Sequence, residues 1–212
     1  MNEDGIVYVI DTETTGLIGY PYDLVLDIGV VRVDLFERTV TDAFDSIVYY
    51  DTDDWPERML NCWAFQNTQL SLEMIKDKGV LSNIVSKKLR ELLKGQIVTS
   101  YNVEFDFNRF LYYPPWRLKD NCIIGDCIML SAAECEYLPK STHDNGKWPR
   151  LLDAYMGLVD GDPAGIEGKQ DHLALSDSRV AGWVLIELYR MGYWSPPEKT
   201  FKETPIESII ED

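Results

Sequence analysis

One stretch near the start constrains this chain more than any other: Val7-Tyr8-Val9-Ile10-Asp11-Thr12-Glu13-Thr14-Thr15-Gly16-Leu17. Val7 to Ile10 are β-branched or aromatic and read as a buried strand. Side chains two residues apart on a strand point to the same side. Asp11 and Glu13 therefore project together from the strand's end. Two carboxylates held so close repel unless a proton or a cation sits between them. A divalent metal is the simplest physical explanation, so the fold is expected to place an acidic site at the end of its first strand.

The rest of the chain reads as strands first, then helices mixed with strands. Residues 24–35 are rich in Val, Leu and Ile and predict a long second strand. Residues 40–50 predict a third, and the three form an antiparallel meander. Thr68 or Ser71 is placed to cap a helix through Met74 and Ile75. Leu81, Ile84, Val85, Leu89, Leu92 and Leu93 have helical spacing, and Gly95 is placed to stop that helix. Ile97 to Thr99 predict a short strand. Residues 101–111 lead into a helix with an aromatic face, ended by Pro114-Pro115. A further strand over 122–126, a helix through Ala132 and Ala133, a polar loop over 141–147 and a short helix from Trp148 follow. A Gly- and Asp-rich loop precedes a last long helix over 173–191. This order gives a mixed α/β sheet flanked by helices.

Hydrophobic residues make up 45% of the 212, which predicts a globular core. The expected division is one domain over residues 1–195 and an acidic C-terminal tail over 196–212. No apolar run is long enough to span a bilayer, and Met1 to Gly5 lack a basic or apolar leader. No membrane association and a cytoplasmic location are expected. Cys62, Cys122, Cys127 and Cys135 have no zinc-site spacing and read as buried free thiols. The net charge of −16 argues against a general nucleic-acid coat protein. It leaves room for an enzyme that grips a few nucleotides through metal ions.

Two further motifs lie downstream. Tyr101-Asn102-Val103-Glu104-Phe105-Asp106 sits at a strand-to-helix junction, and His172-x-x-x-x-Asp177 at the start of the last helix. With Asp11 and Glu13 they supply Asp, Glu, Asp, His and Asp in order. This set resembles the DEDDh family of 3′-to-5′ exonucleases, which have the ribonuclease-H-like fold. The resemblance runs from Val7 to about Met191. Asp-Thr-Glu-Thr-Thr-Gly matches the first motif, Asn102-x-x-Phe105-Asp106 the second, and the five-residue step from His172 to Asp177 selects the histidine subclass.

The resemblance implies a metal-dependent 3′-to-5′ exonuclease that releases nucleoside 5′-monophosphates from single-stranded 3′ ends, DNA rather than RNA. Asp11, Glu13, Asp106 and Asp177 would hold two Mg²⁺ or Mn²⁺ ions, which suit hard oxygen ligands. His172 would be the general base. Thr14, Thr15 and Gly16 would approach the terminal nucleotide. Leu17 would pack on its base and Phe105 on its sugar or base, with ordinary core packing as the alternative for both. Asn102 would bond the second motif's loop or the substrate. Alternative functions are RNA 3′ trimming and a non-catalytic, polymerase-associated binding module. Proofreading would require a polymerase or replication partner in trans. Asp126 and Asp153 read as helix caps outside the cage, Asp171 as an orienter of His172 or loop charge, and His143 as a solvated loop residue. Lys87, Lys88, Arg90 and Lys94 form a basic cluster, either a solvated face or a phosphate track.

Overall fold

The structure, a computed structural model, describes residues 5–138, 148–168 and 171–198. The His143 loop and nearly all of the expected tail lie outside the described residues. Three long strands come first, as the β-branched runs require: β1 (Ile6–Thr14), β2 (Val25–Asp34) and β3 (Thr39–Tyr49). They pair as the expected antiparallel meander. β4 (Val80–Leu81) joins β3 in parallel, β5 (Ile97–Thr99) joins β1 in parallel, and β6 (Ile123–Ile124) joins β5 in parallel. The six-stranded mixed sheet has the order β4-β3-β2-β1-β5-β6.

Period-two alternation sends each strand's apolar residues to two faces. Val7, Val9, Val31, Val33 and Ile97 pack on one side against α7 (Ala174–Met191). Ile10, Ile28, Val30 and Val98 pack on the other against α4 (Ser82–Leu93) and a helix over Glu104–Leu111. On α7, Val180, Ala181, Val184, Leu185 and Leu188 are buried at helical spacing. Each such Val or Leu side chain contributes about 1.5–3 kcal/mol of burial. The same side of the sheet carries α5 (Ile128–Glu134) and α6 (Leu151–Leu158).

Several local readings gain a mechanism. Of the two proposed caps, Ser71 caps α3 (Leu72–Asp77), its Oγ accepting the Met74 N–H at 3.2 Å. Gly95 takes a left-handed conformation just past α4. The sequence reading had no counterpart for α1 (Glu57–Leu60) and α2 (Trp63–Asn67), two short helices between β3 and α3. They are too short for periodicity to register. The helix over Glu104–Leu111 is wound as a π-helix rather than an α-helix; just past it, the Tyr112 N–H reaches the Phe107 carbonyl at 3.0 Å. Cys62, Cys122 and Cys135 are buried free thiols, whereas Cys127 is only half-buried. No helix among the described residues is long and apolar enough to cross a membrane.

Candidate active site

Asp11 and Glu13 belong to β1 itself and continue the face of Val7 and Val9, so they point toward the start of α7. The β1–β2 ladder slips at Glu13/Thr14. Such irregularities commonly re-aim side chains beside active sites. Gly29 lies opposite Asp11 in β2. A Cβ there would fall 2.1 Å from Leu175 N and 2.3 Å from the Ala174 carbonyl carbon. The absence of a side chain thus lets the N-terminal turn of α7 rest on the strand backbone. Ser178 Oγ donates to the Gly29 carbonyl at 2.9 Å and holds the helix there. Asp177 is brought in by this contact, and ligand oxygens of Asp11, Glu13 and Asp177 lie within 4.8 Å of one another.

Asp106 reaches the site from the opposite side of β1. It lies in the first turn of the π-wound helix, is 1% exposed, and accepts a 2.7 Å hydrogen bond from Thr12 Oγ1. Thr12 is the residue between the two strand acids, so β1 displays acids on one face and grips the third acid with the other. π-helical turns are frequent at functional sites.

The electrostatics follow from packing acids together under cover. Burial, then the charges of Asp106, Asp177 and Glu13, hold Asp11 far above the ordinary carboxylate range. Burial and the Asp177 charge push Glu13 up to about 9. Burial pushes Asp106 up to about 7, opposed by the Thr12 hydrogen bond. The donor set is all carboxylate oxygen, which fits Mg²⁺ or Mn²⁺. A cation would relieve the repulsion that otherwise retains protons here.

His172 lies at the rim of the site. Its Nδ1 is 3.8 Å from Asp177 Oδ2, and the Asp177 carboxylate holds the imidazole above its ordinary value against the opposing effect of burial. Its backbone is left-handed, with φ of +54°. Non-glycine residues adopt this at some cost, and such strain clusters at functional sites.

A cavity of about 450 Å³ opens over the acids. Asp11, Glu13, Asp106 and Asp177 line it together with Thr14, Gly16, Leu17, Asn102 and Phe105. Leu17 is 71% exposed, and Asn102 Oδ1 accepts the Phe105 N–H at 3.3 Å. Thr15 is not in the wall: it is buried, and its Oγ1 accepts the Leu24 N–H. Gly16 has a packing reason to lack a side chain, since a Cβ would meet the Asp23 carboxylate at 2.6 Å.

Sequence reasoning missed three groups. Trp63 of α2 lines the cavity, is 54% exposed, and meets His172 edge-on with centroids 5.0 Å apart. No motif marks it. Tyr101 and Leu151 also line the wall. Asp27 is a buried acid opposite Glu13; its Oδ2 accepts the Ala174 N–H at 3.1 Å, and burial pushes it up to about 7. It ties the start of α7 to β2, where a carboxylate suits the helix N-terminus. An acid between Leu26 and Ile28 in an apolar strand was a readable signal.

Four clustered acids at the end of the first strand of a mixed sheet, under a shared cavity, define an exonuclease-type site on a ribonuclease-H-like fold. The chain belongs to the RNase T family of exonucleases, whose profile matches residues 8–185. No curated protein sequence matches it. Among solved structures, exonuclease I of Methylocaldum szegediense is 20% identical with a TM-score of 0.60, over 88% of this chain and 40% of that one. E. coli exonuclease I in complex with a dA16 oligonucleotide is 21% identical with a TM-score of 0.59, over 88% and 42%. A 3′-exonuclease described in 3′-end recognition of a histone mRNA stem-loop is 14% identical with a TM-score of 0.61, over 95% and 94%. The chain thus spans about two fifths of the exonuclease I proteins, and these likenesses concern the fold.

Proposed function

We propose that the protein is a metal-dependent 3′-to-5′ exonuclease releasing nucleoside 5′-monophosphates from single-stranded 3′ ends, with DNA preferred over RNA. The observation that carries this reading is the convergence of Asp11, Glu13, Asp106 and Asp177, from three separate motifs, on one cavity. These four carboxylates would hold two Mg²⁺ or Mn²⁺ ions. Such ions, when bound, stabilise charge on the entering and leaving oxygens of a phosphodiester. His172 takes the proton of the attacking water at Nε2, because Nδ1 faces Asp177. Leu17, Phe105 and Trp63 offer apolar and aromatic walls to the terminal nucleotide, and Thr14, Gly16 and Asn102 its polar contacts. Residues 1–195 are taken as the catalytic unit acting in the cytoplasm. The 196–212 segment would meet any polymerase or replication partner in trans.

Kinship of fold with exonuclease I, solved with deoxyoligonucleotides, favours DNA. An RNA-trimming reading is favoured by the stem-loop 3′-exonuclease, whose chain is matched over 94% of its length. The complete set of acids speaks against a non-catalytic module. The deciding experiment uses 5′-labelled single-stranded DNA and matched RNA, with Mg²⁺ and then with chelator. A metal-dependent ladder shortening from the 3′ end is expected, faster on DNA. Intact strands in every lane would overturn the reading.

His172 makes a separate prediction. His172→Ala is expected to lose about 10²–10⁴ in kcat, the usual worth of a general base. Metal-induced thermal stabilisation should persist in the variant. The wild-type rate should rise with pH as the imidazole deprotonates and then level, and the variant should lack that limb. An unchanged pH–rate profile removes His172 as the base.

A further inference from the structure

A second concavity, about 720 Å³, lies between α4 and the 114–121 segment, away from the acidic cavity. Its lining holds Lys87, Arg90, Lys94 and Arg117 against a single acid, Glu91. Four of the chain's 20 lysines and arginines thus line one groove of a protein carrying 36 acids. Several basic side chains elsewhere meet a carboxylate: Arg38 and Arg190 meet Glu187, Arg58 meets Asp23, and Arg179 meets Asp42. Among the described residues, Lys87, Arg90 and Arg117 have no carboxylate at ion-pair distance. Unpaired cations collected in one concavity of an acidic protein call for an anionic ligand.

The groove is built rather than incidental. Ser86 Oγ donates to the Pro115 carbonyl at 2.6 Å, and Asn121 Nδ2 donates to the Arg90 carbonyl at 2.9 Å, so its two walls are fastened together. Lys87 and Arg90 lie one turn apart on α4 and Lys94 caps its C-terminus, so the three extend over about 10 Å at 1.5 Å per residue.

A chain of contacts joins it to the acidic cavity. The Arg117 N–H bonds the Tyr113 carbonyl at 3.0 Å. The Tyr113 ring stacks on Tyr20, with centroids 5.3 Å apart and planes 11° from parallel, and both are exposed. The Tyr20 N–H bonds the Arg109 carbonyl at 2.9 Å, and the Arg109 guanidinium sits on the carbonyl of Leu17 at the cavity wall. Aromatic rings followed by a basic groove are the usual platform for single-stranded nucleic acid.

We propose that this groove holds the phosphodiester backbone of the nucleic-acid strand upstream of the nucleotide being removed. The assignment rests on the exonuclease reading for the direction of the strand. It makes the enzyme favour long strands over short ones, although its net charge repels polyanions.

The test compares the full chain with the Lys87→Gln/Arg90→Gln/Arg117→Gln variant. Binding of 5′-fluorescein 20-nucleotide oligo(dT) and oligo(rU) is followed by anisotropy in EDTA across a salt series. The variant is expected to bind the tighter-binding strand about tenfold or more weakly at low salt. Its log K against log salt should be shallower by about 2, from roughly 0.7 per lost phosphate contact. Hydrolysis of the 4-nitrophenyl ester of thymidine 5′-monophosphate with Mg²⁺, a substrate that reaches only the acidic cavity, should match wild type and shows that the variant folds. Equal affinity and slope, or no wild-type binding to either strand, overturns the groove. Failure of the wild type to cleave ester or strand strikes the exonuclease reading instead, while the binding comparison still decides the groove.

Discussion

Asp11→Asn is expected to abolish metal-dependent turnover, by about 10³-fold or more, while making the metal-free protein harder to unfold. The catalytic loss follows from the charge stabilisation of several kcal/mol that bound ions supply to a phosphoryl transition state. The gain in stability follows from the site itself. Asp11 is hemmed by Asp106, Asp177 and Glu13 under cover, and burial together with their charges pushes its own protonation upward. Asn keeps the shape and removes one member of the repelling set. The sign with pH is fixed by the same groups. A carboxyl whose folded-state pKa is raised contributes stability that is fully present below its unfolded value and is lost as pH rises through the folded one. With Asp27 and Asp106 at about 7 and Glu13 at about 9, metal-free stability from these groups declines from about pH 4 to pH 9. The difference between variant and wild type should therefore widen toward pH 8, where 1 kcal/mol is about 2–4 °C for a chain of this size. Mg²⁺ at 100 times its Kd should stabilise the wild type by about 2.7 kcal/mol, and the variant by much less. Thermal scans at pH 5 and pH 8, with Mg²⁺ and with chelator, read all of this at once. A variant that keeps turnover, or that is less stable than wild type in chelator at pH 8, would refute the carboxylate cage.

What could be read in advance was what repeats locally. The β-branched runs gave the meander, and strand parity placed Asp11 and Glu13 on one face. Ser71 marked its helix by a hydrogen-bonding pattern that operates within three residues. The separation of His172 and Asp177 was legible because both lie on the first turn of α7 and its approach, where spacing is set locally. Trp63 could not be read this way. It reaches the cavity because two short helices fold back over it, and neither offers enough turns for a periodic signal. Thr15 and Gly16 show the converse limit. The motif names them, yet the Leu24 N–H and the Asp23 carboxylate account for much of their chemistry. The basic groove joins an anticipated helix face to a loop wall 30 residues away, and only tertiary packing supplies that wall.

Gly29→Ala should damage both stability and activity, although Gly29 touches no substrate. The atoms that a new Cβ would strike, Leu175 N at 2.1 Å and the Ala174 carbonyl carbon at 2.3 Å, are backbone in the first turn of α7. A side chain could swing aside; a helix terminus must move as a body. The shift strains two contacts that seat it, Ala174 N–H on Asp27 and Ser178 Oγ on the Gly29 carbonyl. Overpacking of this kind costs about 1–3 kcal/mol, or roughly 2–12 °C in Tm for a chain of this size. The same shift carries Asp177 away from Asp11 and Glu13, and His172 with it. Misplacing reacting groups by about 1 Å can cost about 10²-fold in rate. The loss should fall on kcat rather than on strand affinity, because the basic groove lies on α4, across the sheet from α7. Alanine at Gly182, also against β2 and β3 but with only side-chain atoms of Val31, Val33 and Val40 at 3.1–3.3 Å, serves as the control and should be far milder. If Gly29→Ala keeps wild-type kcat and Tm, the helix is not seated by this contact, and the position of Asp177 must be set elsewhere.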